Sequence, residues 1–224
     1  MHTPHNELIR AEEIGLQLLA EVESRDLIVA GKTEEQLSTE VFDLARELYG
    51  IEKHWHKRIV RTGENTLLTY YENPPNLTIK EDDVLFFDFG PLLEDWEADL
   101  GRTYVMGNDP YKKKLKHDVE AAWHEANGWF QQQTKLTGAE FWDYTMDLTA
   151  RYGWTYPNNA AAHIIGKFPH EKLEKDDFTL YAHPENHTDM FAPDADGVPR
   201  GWILEIHFVD EEKKIGGFYE QLLR

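Results

Sequence analysis

Two apolar stretches of this sequence each carry a carboxylate where a buried strand is expected. Asp88 directly follows four consecutive apolar residues, and Glu205 lies inside a second apolar run. Burying a carboxylate without a partner is very costly. A second carboxylate follows each, Asp99 eleven residues after Asp88 and Glu220 fifteen residues after Glu205. Four carboxylates converging from two hairpins would repel one another, so the pattern predicts a metal cation as counter-charge.

Histidine and carboxylate are the ligands that this chain offers to a metal. The sequence contains no cysteine, which excludes disulfides, thiolate nucleophiles, zinc ribbons and iron–sulfur clusters. His163 and His170 stand seven residues apart around Gly166, between a predicted helix and a predicted sheet. Side chains in such a connection can reach a cleft.

The elements that must position these side chains occur twice. Apolar residues at helical spacing predict a helix over 7–29, and a Thr33–Gln36 capping box begins a second helix that Gly50 ends. A helix over 108–133 and a capping box at Thr137 repeat that plan 104 residues later. Strands are predicted after each helix pair, at 58–61, 67–71, 84–87 and 96–105 in the first half and at 202–209 and 218–223 in the second.

The repeat predicts an α+β fold of two pseudo-symmetric halves, about 7–107 and 108–224, in one domain of 1–224. Each half would leave one face of its sheet uncovered, and pairing the halves buries both faces. The alternative is chance similarity between amphipathic helices, because capping boxes are common. Agreement of order, capping and apolar stripe favours the repeat.

Charge and composition restrict the function. With 42 acidic and 23 basic residues the net charge is −19, which repels phosphate backbones and argues against nucleic-acid binding. No apolar run approaches the roughly 20 residues that cross a bilayer, and no apolar segment follows Met1. We therefore expect a soluble, cytoplasmic protein without a membrane partner.

The candidate residues resemble, in order and spacing, the pita-bread (M24-type) metallopeptidase family, which includes methionine aminopeptidases, aminopeptidase P and prolidase, with creatinase as a non-metal relative. The resemblance rests on Phe87-Asp88-Phe89-Gly90, Glu97–Thr103, His163-x-x-Gly166 with His170, Glu205 and Glu220, and on Gly63-Glu64-Asn65-Thr66. It covers nearly the whole chain and implies the pita-bread fold around a central metal site.

The resemblance also implies a site and a reaction. Two divalent ions, bridged by a water or hydroxide that attacks a peptide carbonyl, would be held by Asp88, Asp99, His163, Glu205 and Glu220. Such a ligand set favours Mn²⁺ or Fe²⁺, with Zn²⁺ and Co²⁺ as alternatives. Glu205 would also transfer a proton, and His170 would donate a hydrogen bond to the developing oxyanion. The expected activity is that of an aminopeptidase or a dipeptidase, including the Xaa-Pro type.

The sequence departs from the family around the predicted substrate. The stretch Thr69–Asn73 lacks a histidine that the family carries there, and His54 or His56 is the candidate replacement, unless that segment is purely structural. Tyr70 and His207 are further substrate-binding candidates, although a hydrogen-bonded core role suits His207 nearly as well. Phe218 stands where peptidase P relatives often have arginine.

These departures leave other functions open. One is a creatinase-like hydrolase, or another non-peptidase enzyme, acting on a small polar metabolite. Another is a pita-bread binding module without activity, which the complete ligand set disfavours. A peptide or a small polar molecule is the expected partner, and family analogy suggests a homodimer.

The segment 181–196 predicts a surface feature. It is rich in Pro, Asp and Asn and carries His183 and His187. A solvated loop is the expectation, with a lid over the substrate as the alternative.

Overall fold

The computed structural model describes residues 5–170 and 178–224; Met1–Pro4 and 171–177 lie outside the described residues. Two pairs of helices lead into two sets of strands, as the repeat predicts. The helices are α1 (Asn6–Ser24), α2 (Glu34–Tyr49), α3 (Pro110–Phe130) and α4 (Gly138–Tyr152). Both capping boxes form, at Thr33 and Thr137, and both second helices end at a glycine in the left-handed conformation, Gly50 and Gly153.

The strands make one twisted antiparallel sheet and a small hairpin. They are β1 (Ile59–Thr62), β2 (Val84–Phe89), β3 (Leu92–Leu93), β4 (Trp96–Glu97), β5 (Leu100–Val105), β6 (Ala162–Ile165), β7 (Tyr181–Ala182), β8 (Gly201–Asp210) and β9 (Ile215–Leu222). In the main sheet the order is β1-β2-β5-β9-β8-β6-β7, while β3 pairs with β4. The order β1-β2-β5 mirrors β6-β8-β9, and the halves join where Gly101 of β5 pairs with Glu220 of β9.

The helices cover one face of this sheet. Leu85 and Phe87 of β2 are buried with residues of α1 and α2, and Leu204 and Ile206 of β8 are buried with residues of α3 and α4. Side chains alternate along a strand, so Asp88 and Glu205 point to the opposite face. The pseudo-symmetric α+β fold is thereby confirmed, and the chemistry is confined to the face without helices.

Several predicted boundaries are wrong. α1 stops at Ser24 rather than continuing to Val29, and Asp26 takes a left-handed backbone conformation at φ 51°. α3 is also shorter at both ends than predicted. The single strand predicted over 96–105 is interrupted between β4 and β5, because residues 98 and 99 leave the ladder.

The strand predicted over 67–71 does not exist. Residues Gly63–Leu67 form a 3-10 helix, and the guanidinium of buried Arg61 donates hydrogen bonds to the carbonyl oxygens of Leu68 and Glu72. Those bonds curl the segment against β1. In a strand, at about 3.3 Å per residue, the carbonyl oxygens of Leu68 and Glu72 would lie roughly 13 Å apart. One guanidinium could not reach both.

No helix among residues 5–170 and 178–224 has the length and apolar character that crossing a bilayer requires.

Because α2 and α4 begin with the same kind of cap, we expect both caps to contribute similarly to the free energy of unfolding. In Thr33→Ala and Thr137→Ala, each helix loses a side-chain acceptor for one backbone N–H. We expect each variant to lower the free energy of unfolding by about 1 kcal/mol, measured by urea denaturation. Thr39→Ala is the matched control, since exposed Thr39 lies inside α2 and its hydroxyl donates to the carbonyl oxygen of Glu35 in the same helix. A loss of that size in the control would show that the caps carry no special stability.

Candidate metal centre

Strand register aligns three carboxylates across the sheet. Asp88 lies opposite Gly101, Gly101 lies opposite Glu220, and Glu220 lies opposite Glu205. Directly opposed residues of antiparallel strands project from the same face. The row therefore places the side chains of Asp88 in β2, Glu220 in β9 and Glu205 in β8 together, although Gly101 of β5 lies between the first two.

Gly101 leaves a gap in this row that the site requires. A Cβ atom there would lie 2.4 Å from the ring of Phe218 and 2.8 Å from the Cβ of Glu220. The fourth carboxylate, Asp99, comes from the break before β5, and its side chain is only 2% exposed. Because Gly101 has no side chain, the carboxylates of Asp88, Asp99 and Glu220 can pack closely around it.

Two imidazoles face this cluster. The Nε2 atom of His163, in β6, lies 3.5 Å from Asp99, 3.4 Å from Glu205 and 3.6 Å from Glu220. The Nε2 atom of His56, in the segment before β1, lies 3.1 Å from Asp99 and 3.5 Å from Asp88. All five predicted metal ligands come together, and His56 joins them.

The charges of these groups are strongly coupled. Burial raises the pKa of Asp88 to about 6 and that of Glu205 to about 7, against the opposing effect of the neighbouring imidazoles. Burial and then Asp99 hold the pKa of Glu220 well above its usual range. Asp99 behaves oppositely. Burial would raise its pKa, but His56 and His163 lower it to about 2.

The residues fit a divalent cation. Two groups each bring three ligand atoms within 4.8 Å of one another, His56 with Asp88 and Asp99, and His163 with Asp99 and Glu220. The Oε2 atom of Glu220 is buried and has no hydrogen-bond partner among the described residues. A buried carboxylate oxygen without a donor is costly unless a cation satisfies it. Oxygen and imidazole ligands suit divalent ions of intermediate hardness.

A cavity of about 770 Å³ opens onto the cluster. Glu205 is the most exposed of the four carboxylates, with a side chain 24% exposed against 2% for Asp99 and 3% for Glu220. Aromatic rings form much of the wall, including those of Trp55, Tyr70, Tyr71, Phe86, Phe178, Tyr181 and Phe218. The cavity is therefore lined by the carboxylate cluster on one side and by apolar rings on the other.

His170 lies in the cavity wall and is held by a fully buried carboxylate. Its Nδ1 donates to the Oε2 of Glu97 at 2.8 Å, and Glu97 also accepts from the backbone N–H of Gly166 at 3.0 Å. In the imidazolium form both ring nitrogens carry hydrogen. Nε2 then remains to donate to a ligand while Nδ1 stays bound to Glu97.

The candidate substrate residues divide into different environments. Tyr70 is 42% exposed and its ring packs edge-on against His56 in the cavity wall. His207 borders the cavity but is 1% exposed, and its Nε2 donates to the carbonyl oxygen of Thr66 at 2.9 Å. Burial lowers the pKa of His207 to about 4, so it is a neutral hydrogen-bonded core histidine with one face at the cavity.

The two remaining histidine pairs, His54 with His56 and His183 with His187, each place one member at the cavity and the other away from it. His54 packs its ring against Phe42 and Phe89, away from the carboxylates, so His56 alone of the pair reaches the cluster. The solvated-loop expectation is wrong for His183, which is buried, stacks on Phe178 and lines the cavity. It holds for exposed His187.

Three residues of the site were not predicted. Glu97 positions His170, and its only signal was its place two residues before Asp99. Trp55 donates to the carbonyl oxygen of Ala98 at 3.0 Å and packs edge-on against His56, His163 and His170. Asn158 donates to Glu205 at 3.4 Å. Neither Trp55 nor Asn158 has a local pattern that marks it.

Comparison with known proteins identifies the family to which this sequence is similar. The model of metallopeptidase family M24 matches residues 6–192. An Xaa-Pro dipeptidase from Pyrococcus horikoshii is 25% identical over 147 residues, which are 64% of this chain and 40% of that protein. The matched segment thus spans less than half of that relative's length.

Solved structures share the fold at lower identity. An X-Pro aminopeptidase from Thermotoga maritima has a TM-score of 0.77 at 20% identity, covering 99% of this chain and 59% of that one. A methionine aminopeptidase from Rickettsia prowazekii has a TM-score of 0.70 at 12% identity, covering 99% of this chain and 95% of that one.

Asp99 contacts both imidazoles, so its charge should matter most for metal binding. In Asp99→Asn the side-chain shape is kept and the charge is lost. We expect affinity for Mn²⁺ to fall by roughly 100-fold or more, measured by isothermal titration calorimetry. Glu64→Gln is the control, because the side chain of Glu64 is 61% exposed and its ion pair is with exposed Lys214. Equal affinities in wild type and Asp99→Asn would contradict the site.

Metal binding should weaken as the pH falls. The raised pKa of Glu205, about 7, means that below this pH its carboxyl group holds a proton in the metal-free protein. A bound cation must displace that proton, so we expect affinity for Mn²⁺ to decrease from pH 8 to pH 6, with proton release. Calorimetry in buffers of different ionisation enthalpy measures both quantities. An affinity independent of pH over this interval would refute the assignment.

Proposed function

The chain belongs to metallopeptidase family M24, and from this premise we propose that it is a dinuclear metal-dependent hydrolase that acts on short peptides. Asp88, Asp99, His163, Glu205 and Glu220 would hold the ions. When bound, the two ions would polarise the scissile carbonyl and lower the pKa of an attacking water. Cleavage would release an N-terminal residue or divide a dipeptide.

The observation that carries this proposal is the environment of Glu205. Its carboxyl group belongs to the cluster and is also the member most open to the cavity. In the protein without metal, burial raises its pKa to about 7, and a carboxylate beside the attacking water can accept a proton and return it. Glu205 is therefore suited to take a proton from the attacking water and deliver it to the leaving amine.

His170 is suited to stabilise charge on the substrate. A donor fixed before reaction stabilises a developing oxyanion without the cost of reorganisation. The buried carboxylate of Glu97 fixes the His170 ring from behind, and Trp55 packs against its side. The ring is thereby held at the cavity wall, where Nε2 can donate to the carbonyl oxygen.

The cavity supports a small, partly apolar substrate. A volume of about 770 Å³ lies within the range of small-molecule sites. Phe86 and Phe218 pack against each other beside the cluster, so the wall there is aromatic. We infer a dipeptide or tripeptide with an uncharged side chain near the scissile bond, with an Xaa-Pro bond as one member of that class.

The ligand set favours Mn²⁺ as the activating ion. Carboxylate oxygens dominate the cluster, and such sites suit Mn²⁺ and Fe²⁺ better than thiophilic metals. Co²⁺ and Zn²⁺ would be accepted by the same atoms. Activity should therefore be tested after removal of metal and reconstitution with each ion.

Glu205→Gln tests the proposed proton transfer. The amide keeps the shape of the side chain but cannot accept the proton, so we expect manganese-dependent kcat to fall at least 100-fold, consistent with loss of a general base. The measurement is peptide hydrolysis at saturating Mn²⁺, with bound metal quantified in the same samples. Glu64→Gln serves as control. Full activity in metal-loaded Glu205→Gln would remove this residue from the mechanism.

The substrate panel separates the alternatives. It should contain Xaa-Pro dipeptides, other dipeptides, tripeptides with N-terminal methionine, and creatine. Peptide turnover that requires metal supports the proposal. Turnover of creatine alone would select the small-metabolite enzyme, and no turnover with normal ligand binding would select the binding module.

A further inference from the structure

We propose that His56 is a metal ligand, so that the centre takes one imidazole from each half of the chain. The inference rests on the proposed dinuclear centre and adds a residue to it. His56 lies before β1, outside the aligned carboxylate row, and the spacing of acidic residues does not mark it. What assigns it is the way its ring is held.

The ring of His56 is oriented by its own backbone. Its Nδ1 lies 2.7 Å from the carbonyl oxygen of Lys57. A carbonyl oxygen only accepts, so Nδ1 carries hydrogen and Nε2 is the atom directed at Asp88 and Asp99. His163 has the same arrangement, with Nδ1 at 2.9 Å from the carbonyl oxygen of Ile164. A hydrogen bond of this kind fixes tautomer and orientation in metal-binding histidines.

Each of the two imidazoles lies near a different carboxylate oxygen of Asp99. His56 Nε2 is 3.1 Å from the Oδ1 atom, and His163 Nε2 is 3.5 Å from the Oδ2 atom. The two sets of three ligand atoms therefore share only Asp99. His56 and Asp88 would hold one ion and His163 and Glu220 the other, with Asp99 available to both.

The fold makes room for His56. A Cβ atom at Gly90 would lie 2.3 Å from the His56 ring, so the absent side chain lets the imidazole rest on the backbone after β2. Trp55 packs edge-on against the ring at 4.4 Å between centroids. The side chain of His56 is 6% exposed. Gly90 and Trp55 thus confine the ring where Nε2 meets the carboxylates.

Cobalt X-ray absorption tests the assignment without using activity. The wild-type protein is loaded with Co²⁺, and scattering from imidazole rings is counted per ion. We expect one imidazole for each bound ion in wild type and half that in His56→Phe, which keeps a ring but no ligand. His54→Phe is the matched control, since it makes the same change two residues away in a ring that does not reach the cluster.

Calorimetry with Mn²⁺ provides the second measurement. We expect His56→Phe to weaken one of two binding events by roughly 100-fold and His54→Phe to weaken neither. Two bound ions in wild type with one imidazole between them would overturn the assignment of His56 and leave the proposed function standing. That count uses only the wild-type protein and holds even if the variant fails to fold. Absence of bound metal in wild type would overturn both.

Discussion

The structure depends on bringing four carboxylates together on a sheet that both halves of the chain build. Each carboxylate would be stable in water, and each loses that hydration when β2, β5, β9 and β8 align. The two imidazoles are the positive or polarisable groups that offset this cost among the described residues. A divalent cation would complete the compensation, because Glu220 keeps one buried oxygen without a donor among the described residues. Folding and metal binding should therefore be linked.

Corresponding strand positions in the two halves carry residues with different roles. Ile59 lies opposite Asp88, and Glu205 donates its backbone N–H to the carbonyl oxygen of Ala161, so these strand positions correspond. Two residues beyond them stand Arg61 in one half and His163 in the other. Arg61 turns away to bind the carbonyl oxygens that shape the cavity wall, whereas His163 faces the carboxylates. Equivalent backbone positions thus supply a structural clamp in one half and an imidazole beside the carboxylates in the other.

A second pair of corresponding positions, earlier in the same two segments, also differs between the halves. Three residues before Ile59 stands His56, and three before Ala161 stands Asn158. Each contacts the carboxylate of its own half, His56 at 3.5 Å from Asp88 and Asn158 at 3.4 Å from Glu205. The second half has an amide at this position and an imidazole two residues beyond Ala161, whereas the first half has an imidazole here and Arg61 two residues beyond Ile59. The site gains two imidazoles although the backbone symmetry is kept.

The sequence by itself determined the helices, their caps, the repeat and the acidic residues that meet, because these depend on neighbours within a few positions or on spacing within one hairpin. It also gave the order of candidate ligands that the resemblance uses. The tertiary structure decided that His56 rather than His54 reaches the cluster, that Glu97 holds His170, and that the segment after Leu67 curls instead of extending. Those outcomes depend on contacts between residues far apart in the chain, where a bend of one residue reverses the direction of a side chain. Local periodicity contains no information about such contacts.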